Sequence, residues 1–271
     1  MSESKKMPYG LGELLAVFIS REICDGEGIG VGRNLFAPLA GALLAHFHHG
    51  PNIKFGFGHV LANLYDQPTV DFSDMDWHRE LQWAEALRPE DQTMISLRHV
   101  QNTVFFVGGI QVDKYGNSNM IGVGDHYERL RFRGPGPIGT TSLTTYMNRY
   151  YIYLNSHNKR VLVDKCDYVS CLGWGRGEKN IRKTLGIPGG GPKYCITPRC
   201  IMDFDDQTKR MRLRYLHPGV TLEEVLEHTG FDPIVPRTVD TTPAPRSDEL
   251  EILRHRIDPQ GHLRKNLITN P

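Results

Sequence analysis

The chain lacks several sequence features that are typical of particular classes of protein. It has no apolar run of about 18 residues, the length that crosses a bilayer, and its N-terminus, MSESKKMPYGLGELL, has neither the apolar core nor the cleavage site of a signal peptide. It also has no excess of either charge, with 32 basic and 31 acidic residues among 271. We therefore expect a cytoplasmic protein that binds neither membranes nor nucleic acid.

Cysteine is scarce as well, at five residues, an odd number in a chain without an export signal. This favours reduced thiols over disulfides. Four of the cysteines form two pairs, KCDYVSC and YCITPRC, each with four intervening residues. That spacing is looser than the C-x2-C turn of most structural zinc sites, so we expect buried thiols and no metal.

Acidic residues are missing from one long stretch, because no Asp or Glu occurs between Glu27 and Asp66. Within this stretch the apolar segment PNIKFGFGHV leads into a loop, a place where α/β enzymes often carry a catalytic side chain. His59 is the only residue there that titrates near neutral pH, and it is our candidate acid or base.

Apolar periodicity predicts alternating helices and strands. Helical spacing covers residues 11–24, 34–49, 74–88, 221–230 and 247–259, while strand-like runs cover 28–32, 53–58, 103–112, 150–155 and 159–170, with a hairpin at 200–216. This alternation predicts an α/β fold with an open, mostly parallel sheet and helices on both faces. We expect one domain over 1–271, in which residues 232–271 form a Pro-rich arm and a terminal helix.

Three motifs match known phosphate, dinucleotide or metal sites only in part. PGGGPK lacks the strand and the Gly-Lys-Ser/Thr of a phosphate loop, and the glycines of EGIGVG lie within a predicted strand and not at a strand-to-helix turn. In HFHH only His46 and His49 share a helix face, and no acid lies near them in sequence. We expect no site at any of the three.

A polar loop follows the most apolar strand and is a better candidate for a binding site. Ligands in open α/β sheets bind at the carboxyl ends of strands, and a Gly-Gly pair lets a ligand approach the backbone. The alternative is a turn whose Asn and Asp side chains satisfy one another. The candidate pocket residues here are Gly108, Gly109, Gln111, Asp113, Tyr115, Asn117 and Asn119.

The segment FVGGIQVDKYGNSN resembles the β subunit of class I CoA-transferases of the glutaconate CoA-transferase type. The same order of an apolar strand, Gly-Gly, Gln, an acid and Tyr-Gly-Asn occurs in both. Further matches follow in sequence at KCDYVSCLGWGRG, LGIPGG, IMDFDDQTKRM, EEVLEHTGFD and the final IDP. The resemblance implies an open α/β fold, an α subunit of the same family in a heterodimer or α2β2 tetramer, and an active site between the subunits.

The resemblance also implies a nucleophilic glutamate at the end of an early strand of the β subunit, and that position falls on Gly56. A transferase needs this carboxylate to attack the acyl-CoA thioester. The ring-opening hydrolase of steroid breakdown and a decarboxylase branch are similar in pattern and also lack the glutamate. LHPGVT and the DEL…IDP helix in this chain resemble the hydrolase branch.

We therefore expect an acyl-CoA enzyme that cleaves a carbon–carbon bond by hydrolysis in a cyclic or β-keto substrate. Gly56 and Gly58 would leave room for the acyl group, and coenzyme A would enter only as part of the substrate, with no separate cofactor. Three alternatives stay open: a true transferase whose carboxylate is Asp66 or Asp71, a decarboxylase, and a subunit that binds CoA esters without catalysis.

Overall fold

The structure is a computed structural model that describes residues 8–31, 35–57, 60–62, 84–87, 102–265 and 267–268. The chain divides into two compact units, one made of residues 1–93 with 242–271 and the other of residues 94–241. The single domain that the sequence predicts stays a prediction beside this division. None of the helices in the described ranges is long and apolar enough to pass through a bilayer.

The helices and strands are numbered in chain order. The helices are α1 (Leu11–Arg21), α2 (Phe36–His48), α3 (Thr140–Tyr146), α4 (Ile181–Thr184), α5 (Leu222–His228) and α6 (Ser247–Ile252), which continues as a π-helical turn over Leu253–Ile257. The strands are β1 (Tyr9–Gly10), β2 (Gly28–Val31), β3 (Lys54–Phe57), β4 (Val60–Ala62), β5 (Ala84–Leu87), β6 (Thr103–Val107), β7 (Gln111–Asp113), β8 (Ser118–Asn119), β9 (Gly122–Val123), β10 (Phe132–Arg133), β11 (Arg149–Tyr153), β12 (Leu162–Val163), β13 (Pro192–Ile196), β14 (Cys200–Phe204), β15 (Met211–Leu216), β16 (Asp240–Thr241) and β17 (Leu267–Ile268).

The unit of residues 94–241 is built on strands in the order β16-β15-β14-β13-β11-β6. The pairs β6/β11, β11/β13 and β15/β16 are parallel, and the β14 hairpin adds two antiparallel pairs. Parallel strands are buried on both faces, which explains the unbroken apolar runs of β6 and β11. Phe106 and Tyr151 stack between these strands with ring centroids 5.0 Å apart.

The predicted strand over 103–112 is interrupted, because β6 ends at Val107 and β7 begins at Gln111 in a different sheet. That sheet has the order β12-β7-β8. Gly108 and Gly109 therefore redirect the chain from one sheet to the other. Because of this break, the polar loop follows a strand of the smaller sheet and does not directly follow β6.

The unit that contains the N-terminus pairs β2 with β3 in parallel, and β3, β4 and β5 follow as antiparallel neighbours. Helices α1 and α2 pack against each other at Gly41, where a Cβ atom would lie 2.6 Å from the carbonyl oxygen of Ala16. The prediction of a helix over 74–88 is wrong for Ala84–Leu87, which form β5. Sheet pairing with β4 overrides the helical propensity of Ala, Glu and Leu there.

Two buried carboxylates attach the C-terminal segment to α1 in this unit. Glu249 accepts hydrogen bonds of 2.9 and 2.7 Å from the guanidinium of Arg21. Glu13 accepts bonds of 2.7 and 2.9 Å from Arg254. Bidentate pairs of this kind are stronger than single contacts, so the predicted terminal helix is held firmly even though the preceding Pro-rich stretch has little regular structure.

Two buried histidines in the other unit have displaced pKa values. His157 lies between Thr197 and Thr229, with ring nitrogens 2.8 and 3.0 Å from their hydroxyls, and His217 Nε2 donates to the carbonyl oxygen of Thr197 at 2.8 Å. Burial lowers the pKa of each to about 4, and for His157 the nearby Arg199 adds to the effect. Both rings are therefore neutral in the folded protein near pH 5.

We predict that acid destabilises the fold through these two rings. Between pH 6.5 and 4 the unfolded chain binds protons that the folded chain does not, so the free energy of unfolding falls as the pH is lowered. At 1.36 kcal/mol per pKa unit the loss is up to about 3 kcal/mol per histidine. Urea unfolding at pH 7 and 4.5 measures this loss, and a His157→Gln/His217→Gln variant should show a smaller one. Equal losses in the two proteins would contradict the assignment.

Candidate functional site

Gly56 lies in β3, in register with a second glycine. Gly30 of β2 is its parallel neighbour and Leu61 of β4 its antiparallel one. Gly30 and Gly56 lie near the carboxyl ends of β2 and β3, on strands about 4.8 Å apart. Because residues in register on parallel strands face the same side of a sheet, two neighbouring positions on that side have no side chain. This arrangement leaves backbone, and no carboxylate, at the position where the sequence resemblance places a nucleophile.

Glu27 does not supply the missing carboxylate. It precedes β2, so it lies at the amino end of that strand, as the sequence predicts. Its side chain is only 7% exposed, and it accepts a hydrogen bond of 2.8 Å from the backbone N–H of Cys24. Gly58, His59, Asp66 and Asp71 lie outside the residues that the structure describes, so the candidate role of His59 stays a prediction.

The predicted polar loop is a hairpin, β7–β8, and its residues fall into two groups. Gln111 and Asn119 face each other at the base, where Asn119 Nδ2 donates to Gln111 Oε1 at 2.7 Å. The same oxygen accepts from the backbone N–H of Asp167 at 3.0 Å, and Asn119 Nδ2 also donates to the carbonyl oxygen of Gly122 at 2.7 Å. Both side chains are buried, and they brace the chain next to the carboxyl end of β6.

Asp113 and Asn117 form the turn of this hairpin. Asn117 Nδ2 donates to both carboxylate oxygens of Asp113, at 3.1 and 2.9 Å, and to the carbonyl oxygen of Gly175 at 2.7 Å. Asp113 also accepts from the backbone N–H groups of Tyr115 and Asn117. Burial raises the pKa of Asp113, although these bonds oppose the shift. The polar groups at this turn thus satisfy one another, and the loop has the self-contained Asx geometry that we considered as the alternative.

The hairpin turn is fastened to a segment distant in sequence, residues 166–175. Asn117 Oδ1 accepts from the backbone N–H of Gly173 at 3.0 Å, and the N–H of Trp174 donates to the carbonyl oxygen of Tyr115 at 2.9 Å. The two motifs VDKYGNSN and KCDYVSCLGWG therefore lie along each other. The Asn117 side chain bonds to backbone groups of Gly173 and Gly175 and so fixes the two segments to each other.

Gly108 and Gly109 differ in the space around them. A Cβ atom on Gly109 would lie 3.0 Å from the carbonyl oxygen of Gln111, whereas one on Gly108 would meet nothing nearer than the carbonyl oxygen of Tyr153 at 3.7 Å. Gly108 thus has room for a side chain at the carboxyl end of β6. Of the two glycines, Gly108 therefore leaves more space for a ligand.

We predict that Gly108→Ala leaves the fold intact but weakens substrate binding. The free energy of unfolding should stay within about 0.5 kcal/mol of the wild type, because the added methyl group makes only ordinary contacts. If the acyl-CoA substrate that the sequence resemblance implies passes this point, the methyl group should raise KM roughly ten-fold. Thermal unfolding and steady-state kinetics measure the two effects, and an unchanged KM in a stable variant would remove Gly108 from the pocket.

Two of the motifs judged weak from sequence make contacts within the protein. Gly189 and Gly190 of PGGGPK donate their N–H groups to the carbonyl oxygens of Thr145 and Asn148, so they cannot cradle a phosphate. His46 is buried against Phe47 and Phe55 and does not converge with its neighbours. No cluster of three or more His, Cys, Asp or Glu side chains suited to a metal ion occurs in these ranges.

His48 of HFHH has a partner that sequence spacing could not reveal. His48 Nε2 lies 2.9 Å from the carboxylate of Asp248, two hundred positions along the chain. With Arg246 this contact lowers the pKa of Asp248 to about 2.

The five cysteines are all free thiols, and four are buried, as predicted.

Comparison with known proteins decides the family. Residues 83–228 match the model of the family described as Coenzyme A transferase. The chain is also 34% identical to the β subunit of glutaconate CoA-transferase of Acidaminococcus fermentans, over 91% of this chain and 92% of that protein. The chain belongs to the coenzyme A transferase family. The fold agrees, since the crystal structure of the Acidaminococcus fermentans transferase superposes with a TM-score of 0.81 and 31% identity, covering 95% of this chain and 98% of that one.

Other proteins that are similar to this chain have names that describe different activities. The chain is 32% identical to the β subunit of 3-oxoadipate CoA-transferase of Pseudomonas knackmussii, over 91% of this chain and 92% of that protein. It is 28% identical to the cholesterol ring-cleaving hydrolase IpdB subunit of Mycobacterium tuberculosis, over 82% of this chain and 84% of that protein. The decarboxylase AibA/AibB has the same fold, with a TM-score of 0.77 and 21% identity over 93% of this chain and 96% of that one. The predicted open, mostly parallel α/β fold is confirmed, and these relatives are enzymes.

Proposed function

We propose that this chain is the β subunit of a heteromeric enzyme of the coenzyme A transferase family that cleaves a carbon–carbon bond of a cyclic or β-keto acyl-CoA by hydrolysis. The observation that supports this reaction is Gly56 in β3, beside Gly30 in β2. Transfer of CoA through a glutamyl thioester requires a carboxylate at that position, and hydrolysis of the acyl chain does not.

In the proposed reaction the nucleophile is a water molecule. A base on the α subunit removes a proton from water, the hydroxide adds to the keto carbonyl, and the carbon–carbon bond breaks with its electron pair moving onto the carbon next to the thioester. The thioester carbonyl stabilises this enolate, which then takes up a proton. One carboxylate and one shortened or ring-opened acyl-CoA result. The β subunit in this scheme shapes the pocket, with backbone and no carboxylate at Gly56.

The α subunit is inferred from the relatives, whose names describe single subunits of two transferases and of one hydrolase. His59 remains a candidate acid or base in this chain. A His59→Gln substitution should reduce turnover if His59 acts as an acid or base in the reaction, and should leave turnover unchanged if it does not.

A true CoA-transferase is the second candidate, because two relatives above 30% identity are named as CoA-transferase subunits. Such an enzyme needs a carboxylate from elsewhere, and Asp66 and Asp71 are the candidates in sequence. Asp66→Asn and Asp71→Asn variants test it directly. Loss of acceptor-dependent exchange in either variant would favour the transferase.

The experiment that separates the reactions is co-production with the α subunit, followed by a panel of acyl-CoA substrates with and without a free carboxylic acid acceptor. Hydrolysis predicts turnover that is independent of the acceptor. Exchange of CoA onto the acceptor would overturn the hydrolase. Release of carbon dioxide would indicate a decarboxylase, and no turnover across the whole panel would leave a subunit that only binds CoA esters.

A further inference from the structure

A short hairpin in the unit of residues 94–241 exposes large aromatic side chains. Strands β9 and β10 pair with each other over two residues each and form a separate two-stranded sheet. Tyr127, which precedes β10, is 58% exposed, and Phe132 within β10 is 55% exposed. An isolated two-stranded hairpin is marginally stable in water and needs further strands or a packing surface. The 122–139 segment, which contains the hairpin and the loop after it, therefore has a surface suited to a partner.

The aromatic rings lie on both sides of the hairpin. Phe132 and Arg133 are consecutive in β10, so their side chains point to opposite faces. Phe132 lies opposite Val123 of β9 on one face. On the side of Arg133, the guanidinium carbon is 5.3 Å from the centre of the Tyr127 ring, which meets the ring of Tyr168 edge to face at 6.3 Å. A cleft in a partner covers both sides at once, whereas a flat surface covers only one.

The loop after β10 holds an isoleucine side chain in solvent. Ile138 is 87% exposed and has a φ of +50°, which is unfavourable for a β-branched residue. Hydrogen bonds fix this loop, because the N–H of Gly136 donates to the carbonyl oxygen of Met120 at 2.9 Å and Thr141 Oγ1 donates to that of Ser170 at 2.7 Å. Backbone strain of this kind clusters at binding sites and persists only where the surrounding structure enforces it. Ile138 is thus a rigid apolar projection beside the hairpin.

Charged side chains border these apolar groups. Arg129 and Arg131 are exposed, and neither makes an ion pair with another described residue. The exposed acids Asp125 and Glu128 on the same segment are likewise unpaired within the described ranges. Aromatic residues and arginine in an apolar centre with a charged rim are typical of protein–protein interfaces.

The segment adjoins the edge of the sheet at which a ligand is expected. A Cβ atom on Gly134 would lie 3.1 Å from Cδ1 of Ile110, which follows Gly108-Gly109 at the carboxyl end of β6. Ligands of open α/β sheets bind at this end of the strands. The sequence resemblance implies an active site between two subunits. A subunit that completes a site at this edge would therefore meet the 122–139 segment.

Two cavities of the same unit match the hairpin of a second copy of this chain poorly. They enclose about 500 and 370 Å³. The positive side chains that line them are Lys179, Arg182 and Lys183 in the first and Arg149, Lys193, Lys209 and Arg212 in the second. In the second, Asp203 and Asp206 already pair with Arg212 and Lys209. The arginines of another copy's hairpin would meet like charge in both cavities, which opposes association.

We propose that the 122–139 segment docks into the α subunit, with Tyr127, Phe132 and Ile138 in an apolar cleft of that subunit. The proposal rests on the proposed function for the existence of an α subunit, and it adds which face of this chain binds it. It does not depend on the reaction that the complex catalyses.

Dissociation of the co-produced complex on dilution, followed by analytical ultracentrifugation, tests the proposal. In Phe132→Asp and Ile138→Asp variants of the full-length chain the Kd for the α subunit should rise roughly ten- to a hundred-fold, because apolar anchors at the centre of an interface carry most of its affinity. Asp adopts a positive φ more readily than Ile, so Ile138→Asp should leave the circular dichroism spectrum of the chain unchanged.

The matched control is Val235→Asp, which changes another exposed β-branched residue of the same unit. Val235 is 40% exposed and follows Ile234, which bridges to Arg212 of β15. That strand is four positions from β6 in the sheet, roughly 19 Å away. The Kd of this variant should stay within about two-fold of the wild type.

Photo-crosslinking identifies the occupant directly. An Ile138→p-benzoylphenylalanine variant, irradiated in the complex, should join this chain to the α subunit. A crosslink to a second copy, a crosslink only within the chain, or equal weakening by Val235→Asp would overturn the docking surface. A wild-type complex whose Kd is unchanged by Phe132→Asp and Ile138→Asp would overturn this proposal alone, whereas the absence of any wild-type complex would overturn the α subunit of the proposed function as well.

Discussion

Replacing Gly56 with glutamate is expected to convert the enzyme towards CoA transfer. The new carboxylate would stand in β3, at the position where the sequence resemblance places a nucleophile. There it can attack the thioester carbonyl to give an anhydride and free CoA, and the CoA thiolate can then displace the acyl carboxylate to leave a glutamyl-CoA thioester. The added side chain should also displace the substrate of the hydrolysis reaction and reduce its kcat/KM roughly a hundred-fold. Steady-state assays with and without an acceptor acid measure both changes.

Gly56→Gln is the control for this experiment, because it adds nearly the same volume without a nucleophile. It should lose hydrolysis and gain no exchange. Intact-protein mass spectrometry of the Gly56→Glu variant should find an adduct of coenzyme A less one water, absent from the Gln variant. If neither variant loses hydrolysis, Gly56 does not border the reacting part of the substrate.

Substituting Asn117 by alanine is expected to destabilise the unit of residues 94–241 by about 3 kcal/mol or more. The substitution removes the donor to both oxygens of the buried Asp113, the donor to Gly175, and the acceptor of the Gly173 N–H. Each buried polar group left without a partner costs about 1–3 kcal/mol. Urea unfolding of the purified protein measures the effect.

Asn155→Ala provides the comparison, because Asn155 is exposed on the same unit. Its substitution should change the free energy of unfolding by no more than about 0.5 kcal/mol. If Asn117→Ala were equally mild, the hydrogen bonds of the Asp113–Asn117 turn would not be what fastens the hairpin to residues 166–175.

Local patterns in the sequence predict local features of the fold well. Thr221 is the N-cap of α5 and accepts from the backbone N–H of Glu224, as the capping sequence indicates. Helix α1 and the β14–β15 hairpin also occupy their predicted places. These features depend on residues within a few positions of one another, so a single sequence contains the information that they need.

Contacts between distant residues account for what the sequence could not predict. The AEAL stretch favours a helix by propensity, but its pairing with β4 makes it a strand. Arg182 could not be identified as a buried cation, because its partners at Thr144, Leu172 and Gly189 follow from the packing of three loops. The break at Gly108-Gly109, which puts β6 and β7 in different sheets, likewise follows from strand pairing and not from local spacing.

Oxygen incorporation from heavy-oxygen water tests the central claim most directly. The chain, in complex with its α subunit, would be given a cyclic or β-keto acyl-CoA in labelled water together with an unlabelled acceptor acid. We predict a product with a cleaved carbon–carbon bond, a single solvent-derived oxygen in its new carboxylate, and no CoA ester of the acceptor. An acceptor CoA ester formed alongside an acyl chain with all its carbon–carbon bonds intact would contradict the account.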